Sequence, residues 1–213
     1  MNGKDLIADE QRDYLTEMMN IGMGGALGAL SQLLKSPVDA KIPRVVILPV
    51  SQTHTMVGDP SRPFVTVGME MVGDVRGYLF CLVSDQDKEV LMELIEKAQH
   101  VPRKKGTDLD LSVLCELGNI LAGVFLMTIH DFCKLNIYHT VPILQIDMAQ
   151  SLFDEAIINV ARGVNQIIMF QITFIAIEKS IEIYLWVIPT EESAQILSNS
   201  MEGVKDAYGF KQD

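Results

Sequence analysis

Apolar residues recur along the chain with two periods, helical and extended, and the order of these segments repeats once. The first half predicts a helix, a strand, two strands joined as a hairpin at Gly73-Asp74, and a second helix, at residues 9–35, 42–50, 64–72 with 76–83, and 85–99. After a polar linker, the second half predicts the same order, at residues 108–134, 143–147, 166–177 with 181–187, and 191–204. A further helix is predicted in the second half, at residues 150–161.

A fixed spacing relates the two halves of the sequence. Residues of the same type recur 99 positions apart: Glu17 and Glu116, Asn20 and Asn119, Gly24 and Gly123, Pro43 and Pro142. One spacing that holds across a helix and the following strand indicates an internal duplication. Strands outside a strict β-α-β alternation indicate an α+β fold. We therefore predict one domain over 1–213, built of two repeats (about 9–99 and 108–206) with pseudo-two-fold symmetry, in which long helices pack on a largely antiparallel sheet.

Each long predicted helix displays polar residues along one side. At about 100° per residue, residues at positions i, i+4, i+7 and i+11 fall within about 40° of one another. The first strip consists of Asp13, Glu17, Asn20 and Gly24. The second strip consists of Ser112, Glu116, Asn119 and Gly123. A solvated helix face has the same composition. The recurrence in register and the glycines that weaken the first helix both favour a functional surface instead.

Glycines interrupt the first of these helices. Four of them, Gly22, Gly24, Gly25 and Gly28, together forgo roughly 3–4 kcal/mol of helix propensity relative to alanine. Gly24 and Gly123 remove side chains from the two strips, where a partner's backbone then has room to approach. The other three glycines have a simpler explanation, which is close packing of helices in the core.

The strips suggest positioning chemistry rather than covalent catalysis. Neither carries a cysteine or histidine nucleophile, and the four histidines (His54, His100, His130 and His139) are scattered along the chain and read as structural. A carboxylate holds a lysine through a charge-assisted hydrogen bond, and an amide both donates to and accepts from a water. Phosphoryl transfer depends largely on such positioning, so the strips are suited to holding a water in line with a phosphorus atom.

Composition narrows the class of partner and the compartment. With 28 acidic and 17 basic residues the net charge is −11, which argues against binding a nucleic-acid backbone. Cys81, Cys115 and Cys133 form no CxxC pair, so we expect reduced thiols in a cytoplasmic protein. The longest uncharged run, 18–34, is interrupted by Gly, Asn, Ser and Gln, which favours a buried helix over a membrane span.

The paired motif [DS]-x3-E-x2-N resembles the CheC family of chemotaxis phosphatases, and ELGNILAG at 116–123 is typical wording for that family. The resemblance runs from about Glu10 to Pro189. It implies dephosphorylation of the phospho-aspartyl response regulator CheY. Implied roles follow residue by residue: Glu17 and Glu116 grip the regulator's lysine, Asn20 and Asn119 orient the attacking water, and Asp13 and Ser112 complete the strips. No cofactor is expected in this chain, because the Mg²⁺ belongs to the regulator.

The resemblance also implies a second partner, the receptor deamidase CheD. The stretch QIDMAQSLFDEA at 145–156 resembles the CheD-binding surface, with Asp147 as its anchor, although an ordinary amphipathic helix has the same pattern. Two departures from exact repetition predict unequal sites. Ser112 stands where the first strip has Asp13. Gly118 stands where the first strip has Met19, and we expect the bulkier methionine beside Asn20 to alter how the partner docks.

Four alternatives remain open at this stage. The same surface serves a non-catalytic adaptor that only holds the phosphorylated regulator or CheD. A relative of CheX type carries one motif and dimerises, whereas two motifs occur here. A relative of FliY type adds a C-terminal switch domain, which we do not expect beyond Asp213. A purely structural duplication has no site, and its strips tolerate alanine.

Overall fold

Five helices and seven strands make up the described part of the chain. The structure is a computed structural model, and it describes residues 7, 9–49, 52, 63–100, 108–148 and 166–208. The helices are α1 (Asp9–Gly22), α2 (Gly24–Leu34), α3 (Asp85–Gln99), α4 (Asp108–Cys133) and α5 (Glu191–Tyr208). The strands are β1 (Val38–Pro49), β2 (Pro63–Gly73), β3 (Gly77–Ser84), β4 (Ile137–His139), β5 (Ile143–Met148), β6 (Gln166–Ala176) and β7 (Lys179–Pro189). The prediction of an α+β fold is confirmed.

The duplication appears in the element boundaries as well as in the motif. The helical region begins at Asp9 in the first half and at Asp108 in the second, and it ends at Leu34 and Cys133. The next strand region begins at Val38 and Ile137 and ends at Pro49 and Met148, so all four boundaries are 99 positions apart. The separation between equivalent residues exceeds 99 only after these strands, from β2 and its counterpart β6 onward. Residues 149–165 precede β6, and the helix predicted at 150–161 lies outside the described residues.

The sheet is antiparallel throughout, in the order β1-β6-β7-β3-β2-β4, with β5 also paired to β2. Each half supplies a hairpin, β2–β3 or β6–β7, and these hairpins meet at the centre through β3 and β7. The single strands are exchanged: β1 pairs with the second half's β6, while β4 and β5 pair with the first half's β2. Each half therefore completes the sheet of the other.

Alternation along the strands produces two apolar faces. On β6, Ile168, Phe170 and Ile172 join the larger core cluster, which includes the buried faces of the helices. Ile167 and Met169 point the other way and join a smaller cluster around Trp186. Both faces of the central hairpins are therefore apolar, which explains why residues 167–170 are all buried.

The helix predicted at residues 85–99 is confirmed at both ends. Ser84 caps its start, because its hydroxyl accepts a hydrogen bond of 3.0 Å from the Asp87 amide. His100 ends it in the left-handed conformation, with φ of 57°. Acidic residues in the first turn, Asp85 and Asp87, also favour the positive end of the helix dipole.

The helix predicted at 9–35 is divided in the structure at Met23. The division is slight, since the Met23 backbone keeps φ of −61° and ψ of −17°. Its amide still donates to the Met19 carbonyl at 2.9 Å. Gly22 and Gly24 flank the junction, and both have low helix propensity, which favours an interruption there. α4 has Leu121, Ala122 and Gly123 at the equivalent positions and continues unbroken.

Two strand predictions also needed correction. β1 begins at Val38, four residues before the predicted start, because pairing with β6 overrides the weak strand propensity of Asp39, Ala40 and Lys41. The short strand β4 was missed, since three residues carry too little pattern to be recognised. Both errors fall on edge strands, whose pairing is decided by distant parts of the chain.

Candidate functional site

The first strip lies on the outer side of α1. Asp13, Glu17 and Asn20 are all exposed, and Gly24 is exposed at the first position of α2. The residues between them, including Tyr14, Leu15, Met18 and Met19, are buried and fix α1 to the core. Helical periodicity therefore turns the carboxylate and the amide outward together, as the sequence predicted.

The second strip lies on the same face of α4. Ser112 and Glu116 are exposed, while Asn119 and Gly123 are half-buried. These residues border an open depression lined by Leu111, Ser112, Cys115, Glu116, Asn119 and Pro142. Pro142 belongs to the connection between β4 and β5, so this strip has a wall on one side.

The key side chains of both strips are available to a partner. Within the ranges that the structure describes, no hydrogen bond or ion pair engages Glu17, Asn20, Glu116 or Asn119. Asp13 has one weak contact, 3.9 Å from its Oδ1 to Nε of Arg12, at the exposed surface. A carboxylate and an amide without internal partners retain their full capacity to bind an incoming lysine and a water.

The difference between Met19 and Gly118 lies in the core and not on the docking face, which corrects the sequence-based expectation. Met19 is buried. A Cβ at Gly118 would stand 2.8 Å from Cβ of Val67 on β2, closer than such atoms approach in proteins. The missing side chain lets α4 lie close to β2, whereas the equivalent position on α1 carries a methionine that packs into the core.

The glycines divide into open and packed positions. A Cβ at Gly24 or at Gly123 would meet no atom within 4 Å, so both positions are open on the strips. Gly22 is different, because a Cβ there would overlap the Thr128 hydroxyl of α4. Core packing therefore explains Gly22, as the simpler interpretation expected, but it does not explain Gly28, which also has open space around it.

The cysteines offer no activated nucleophile beside the strips. All three are free thiols. Burial raises the pKa of Cys81 to about 12 and that of Cys133 to about 11. Cys115 lies within the depression of the second strip, and partial burial raises its pKa too, so it is less reactive than an ordinary cysteine.

A second depression continues from the second strip along α4. It is lined by Gly123, Leu126, Met127, His130, Asp131, Asn136, Ile137, Tyr138 and His139. Two histidines that are separate in sequence therefore border one hollow. No group of three metal-ligating side chains was found among the described residues. Sequence reasoning missed Met127 and Tyr138, and the signal available for them was the comparison with their counterparts 99 positions earlier.

The length of α4 and its apolar composition meet the criteria for a membrane span. The most apolar 18-residue window within residues 110–133 has a mean hydropathy of 1.8, and half of that window is buried inside the fold. The helix contacts β2, β3, α1 and α5 and supplies Leu117, Leu121 and Phe125 to the core. Core packing therefore accounts for its apolar character.

Comparison with known sequences identifies the family. The sequence model described as the CheC-like family matches twice, at residues 10–47 and 109–146. These segments contain the two strips and start 99 positions apart. The chain is also 32% identical over 158 residues to the CheY-P phosphatase CheC of Bacillus subtilis (strain 168), covering 73% of this chain and 76% of that relative. The chain belongs to the CheC-like family.

Solved structures show how widely this CheC-like fold occurs. Thermotoga maritima FliY superposes with a TM-score of 0.70 at 16% identity, covering 97% of this chain and 99% of that one. The FliM middle domain from H. pylori superposes with a TM-score of 0.63 at 12% identity, covering 90% and 99%. At such low identity the likeness concerns the fold alone.

Asp147, the predicted CheD-binding residue, is not covered by the family match that covers the two strips. Asp147 lies one position beyond the second matched segment of the CheC-like family. Its backbone is in β5, paired with Phe64 of β2, on a strand at the border of the sheet. The rest of the predicted CheD surface, from 149 onward, lies outside the described residues.

Proposed function

We propose that this CheC-like protein is a cytoplasmic phosphatase of a phosphorylated, CheY-type response regulator. The observation that carries the proposal is the pair of outward-facing strips, each with a Glu and an Asn free of partners within the described residues. The identity to a relative named as a CheY-P phosphatase supports the same conclusion. Both strips lie on scaffold helices rather than on loops, which suits a site that works by positioning.

The first step is docking of the regulator on a strip. The carboxylate of Glu17 or Glu116 accepts a charge-assisted hydrogen bond from a lysine ammonium beside the phosphorylated aspartate. Asp13 or Ser112 supports the docked arrangement, and the open position at Gly24 or Gly123 leaves room for the partner's backbone. A lysine fixed in this way sets the position of the strip relative to the phosphorus.

The second step is attack by water. The amide of Asn20 or Asn119 holds one water in line with the phosphorus and opposite the aspartyl oxygen. The water oxygen forms a bond to phosphorus as the bond between phosphorus and the aspartyl oxygen breaks. The products are inorganic phosphate and a free aspartate carboxylate on the regulator. The Mg²⁺ that offsets the phosphoryl charge belongs, in this proposal, to the regulator's own pocket.

The test is the decay of a phosphorylated regulator with the double variant Asn20→Ala/Asn119→Ala. We expect acceleration by the protein to fall by roughly a hundredfold or more, toward the regulator's own rate, as when a positioned hydrogen-bonding group is removed elsewhere. Asn199→Ala, which removes an exposed asparagine on α5, is the matched control and leaves decay unchanged. Decay as fast as wild type in the double variant rejects the mechanism.

A non-catalytic adaptor is the second candidate, because the fold also occurs in FliM middle domains. Holding and hydrolysing use the same surface, so binding alone does not distinguish them. An adaptor binds the phosphorylated regulator without shortening its lifetime. A wild-type protein that binds yet leaves decay unaltered identifies the adaptor.

CheD is proposed as a further partner, on the strength of Asp147 and the strand that carries it. β5 pairs with β2, and no described strand pairs with its other edge. Asp147→Ala weakens CheD binding in this proposal and leaves regulator decay unchanged. Unaltered binding of CheD by that variant removes Asp147 from the interface.

A further inference from the structure

Exposed apolar side chains are unevenly distributed between the two halves. Among the described residues, eight large apolar side chains are exposed, and six of them lie on α4 or on the strands that pair at its side: Val72, Met127, Tyr138, Val141, Ile143 and Ile146. Beside the first strip only Ile21 is comparable, and Ile177 lies in the turn between β6 and β7. An uneven distribution of this kind marks one region for interaction.

Four of these side chains adjoin the second strip, and we call them the apolar margin: Met127, Tyr138, Val141 and Ile143. Met127 is 66% exposed and Tyr138 is 63% exposed, and both line the depression that includes Gly123. Val141, 82% exposed, and Ile143, 67% exposed, flank Pro142, which lines the depression at Asn119. The margin therefore borders the second strip along α4 and along the β4–β5 connection.

The helical geometry makes the margin continuous with the strip. Measured from Ser112 at about 100° per residue, Met127 lies roughly 60° around α4 and His130 returns to about 0°. Gly123 lies between Asn119 and Met127, one turn from each, and carries no side chain to separate them. A partner seated on Glu116 and Asn119 therefore meets Met127 and Tyr138 next.

The sequence of the first half does not repeat these apolar residues. The residues 99 positions earlier are Gly28, Asp39, Ile42 and Arg44, so a glycine, an acid and a base replace three of the four apolar residues. Asp39 is exposed and its Oδ1 accepts a hydrogen bond of 2.9 Å from the Ala40 amide. The duplication thus keeps the polar strip in both halves and changes what surrounds it.

A strip alone is too small to hold a protein. Its four residues span about 16 Å of helix, whereas a standard interface takes about 800 Å² and 20–30 residues from each partner. Docking at the second strip must therefore cover its neighbours. Tyrosine and methionine are enriched at such interfaces and contribute more binding energy than most residues.

We propose that the apolar margin is a docking surface for the response regulator bound at the second strip, and that it gives this site the higher affinity. This role rests on the proposed function. The partner that covers the margin is a receiver domain with an apolar patch beside its phosphorylated aspartate. The first site binds the same domain with fewer apolar contacts.

The experiment isolates each site and exchanges residues between the copies. In an Asn20→Ala background, where only the second site turns over, Tyr138→Asp/Ile143→Arg introduces the first copy's residues. We expect KM for the phosphorylated regulator to rise roughly tenfold with kcat unchanged, since the changes remove docking energy and not water positioning. Ile177→Asp, at the remote β6–β7 turn, is the control and leaves KM unchanged.

The reciprocal variant tests whether the effect transfers. In an Asn119→Ala background, Asp39→Tyr supplies the first site with one margin residue. We expect it to lower KM about threefold, because one added tyrosine contributes only part of the binding energy of a fully buried interface tyrosine. If the second-site double variant fails to fold, as judged by circular dichroism, Met127→Ala/Val141→Ala repeats the KM test without introducing charge.

The outcomes separate the two proposals. An unchanged KM in the folded second-site variants overturns the margin as a docking surface, even when Asn20→Ala/Asn119→Ala abolishes turnover. Full turnover in Asn20→Ala/Asn119→Ala overturns the proposed function itself. A rise in KM for Ile177→Asp as large as for Tyr138→Asp/Ile143→Arg shows that any charge at the surface is sufficient, and this also overturns the margin.

Discussion

The two strips carry the same polar residues on different supports. The first is carried by α1 and the start of α2, which are separated at Met23, and buried Met19 backs it. The second is carried by the unbroken 26-residue α4, which approaches β2 closely at Gly118 and is bordered by the apolar margin. A duplicated polar face has therefore persisted while the packing beneath it and the surface beside it have diverged.

The largest effects that sharpen this comparison come from removing one asparagine at a time. Asn20→Ala and Asn119→Ala each reduce turnover at their own site by about a hundredfold, because the positioned amide is lost. At regulator concentrations below KM, Asn119→Ala removes the larger share of total activity, since the second site is proposed to bind more tightly. Phosphate release at several regulator concentrations measures the shares. Equal losses at every concentration contradict a functional difference between the copies.

Exchanging the backing residues comes next. Met19→Gly lowers the free energy of unfolding by about 4 kcal/mol, because it leaves a cavity and adds a glycine to α1. Gly118→Met lowers it by about 3 kcal/mol, since even its Cβ meets Val67. Urea unfolding measures both.

Gly123→Ala is the control for Gly118→Met, because it changes a glycine on the same helix where a Cβ has open space. It leaves the free energy of unfolding unchanged or raises it slightly. A Gly118→Met protein as stable as wild type contradicts the close approach of α4 to β2.

Charge reversal on the strips has a smaller effect. Glu17→Lys places two cations together at the first site and weakens regulator binding there by about tenfold, and Glu116→Lys does so at the second. KM for dephosphorylation in the backgrounds with one active site measures the effect at each site, because only that site turns over. Glu17→Gln is the matched control with an intermediate loss, as it removes attraction without adding repulsion. If neither Glu17→Lys nor Glu116→Lys weakens regulator binding, the proposed lysine contact is wrong.

The smallest expected effects distinguish two neighbouring glycines. Gly24→Ala raises the free energy of unfolding by up to about 1 kcal/mol, because its Cβ has open space on a helix. The same change slows dephosphorylation at the first site if a partner's backbone approaches there. Gly22→Ala has the opposite sign and destabilises by about 1–2 kcal/mol, since its Cβ overlaps the Thr128 hydroxyl. Thermal unfolding and activity assays on both variants distinguish the open position from the packed one. If both substitutions destabilise the protein, Gly24 is not an open position.

Local pattern predicted most of the elements and the direction of the strips. The α3 boundaries were correct because a Ser84 cap, an acidic first turn and an apolar stripe act within a few residues of one another. Asn20 and Glu17 face outward because helical periodicity alone sets their angle relative to Met18 and Met19. Asn119 is also on the expected face, and it lines the same depression as Pro142, which comes from another element.

Errors arose where distant residues decide the outcome. Met19 was expected to affect docking because it adjoins Asn20 in sequence, yet successive helical residues point about 100° apart and Met19 enters the core. The strand β4 is held by pairing with residues 71–73 of β2, more than sixty positions away. No window of sequence contains both partners, so the pattern at 137–139 alone did not predict a strand.

Spacing along the chain is sufficient to predict the duplication, the type and order of most elements, and the polar face that each long helix displays. These follow from spacing along one segment, which the helical and extended periods convert directly into direction. Three features depend on long-range packing: the halves exchange their single strands, Gly118 lets α4 approach Val67, and Tyr138 and Met127 line one depression beside the second strip. Such contacts depend on which distant segments pack together, and the free energy of that packing is not encoded in any one stretch of the chain.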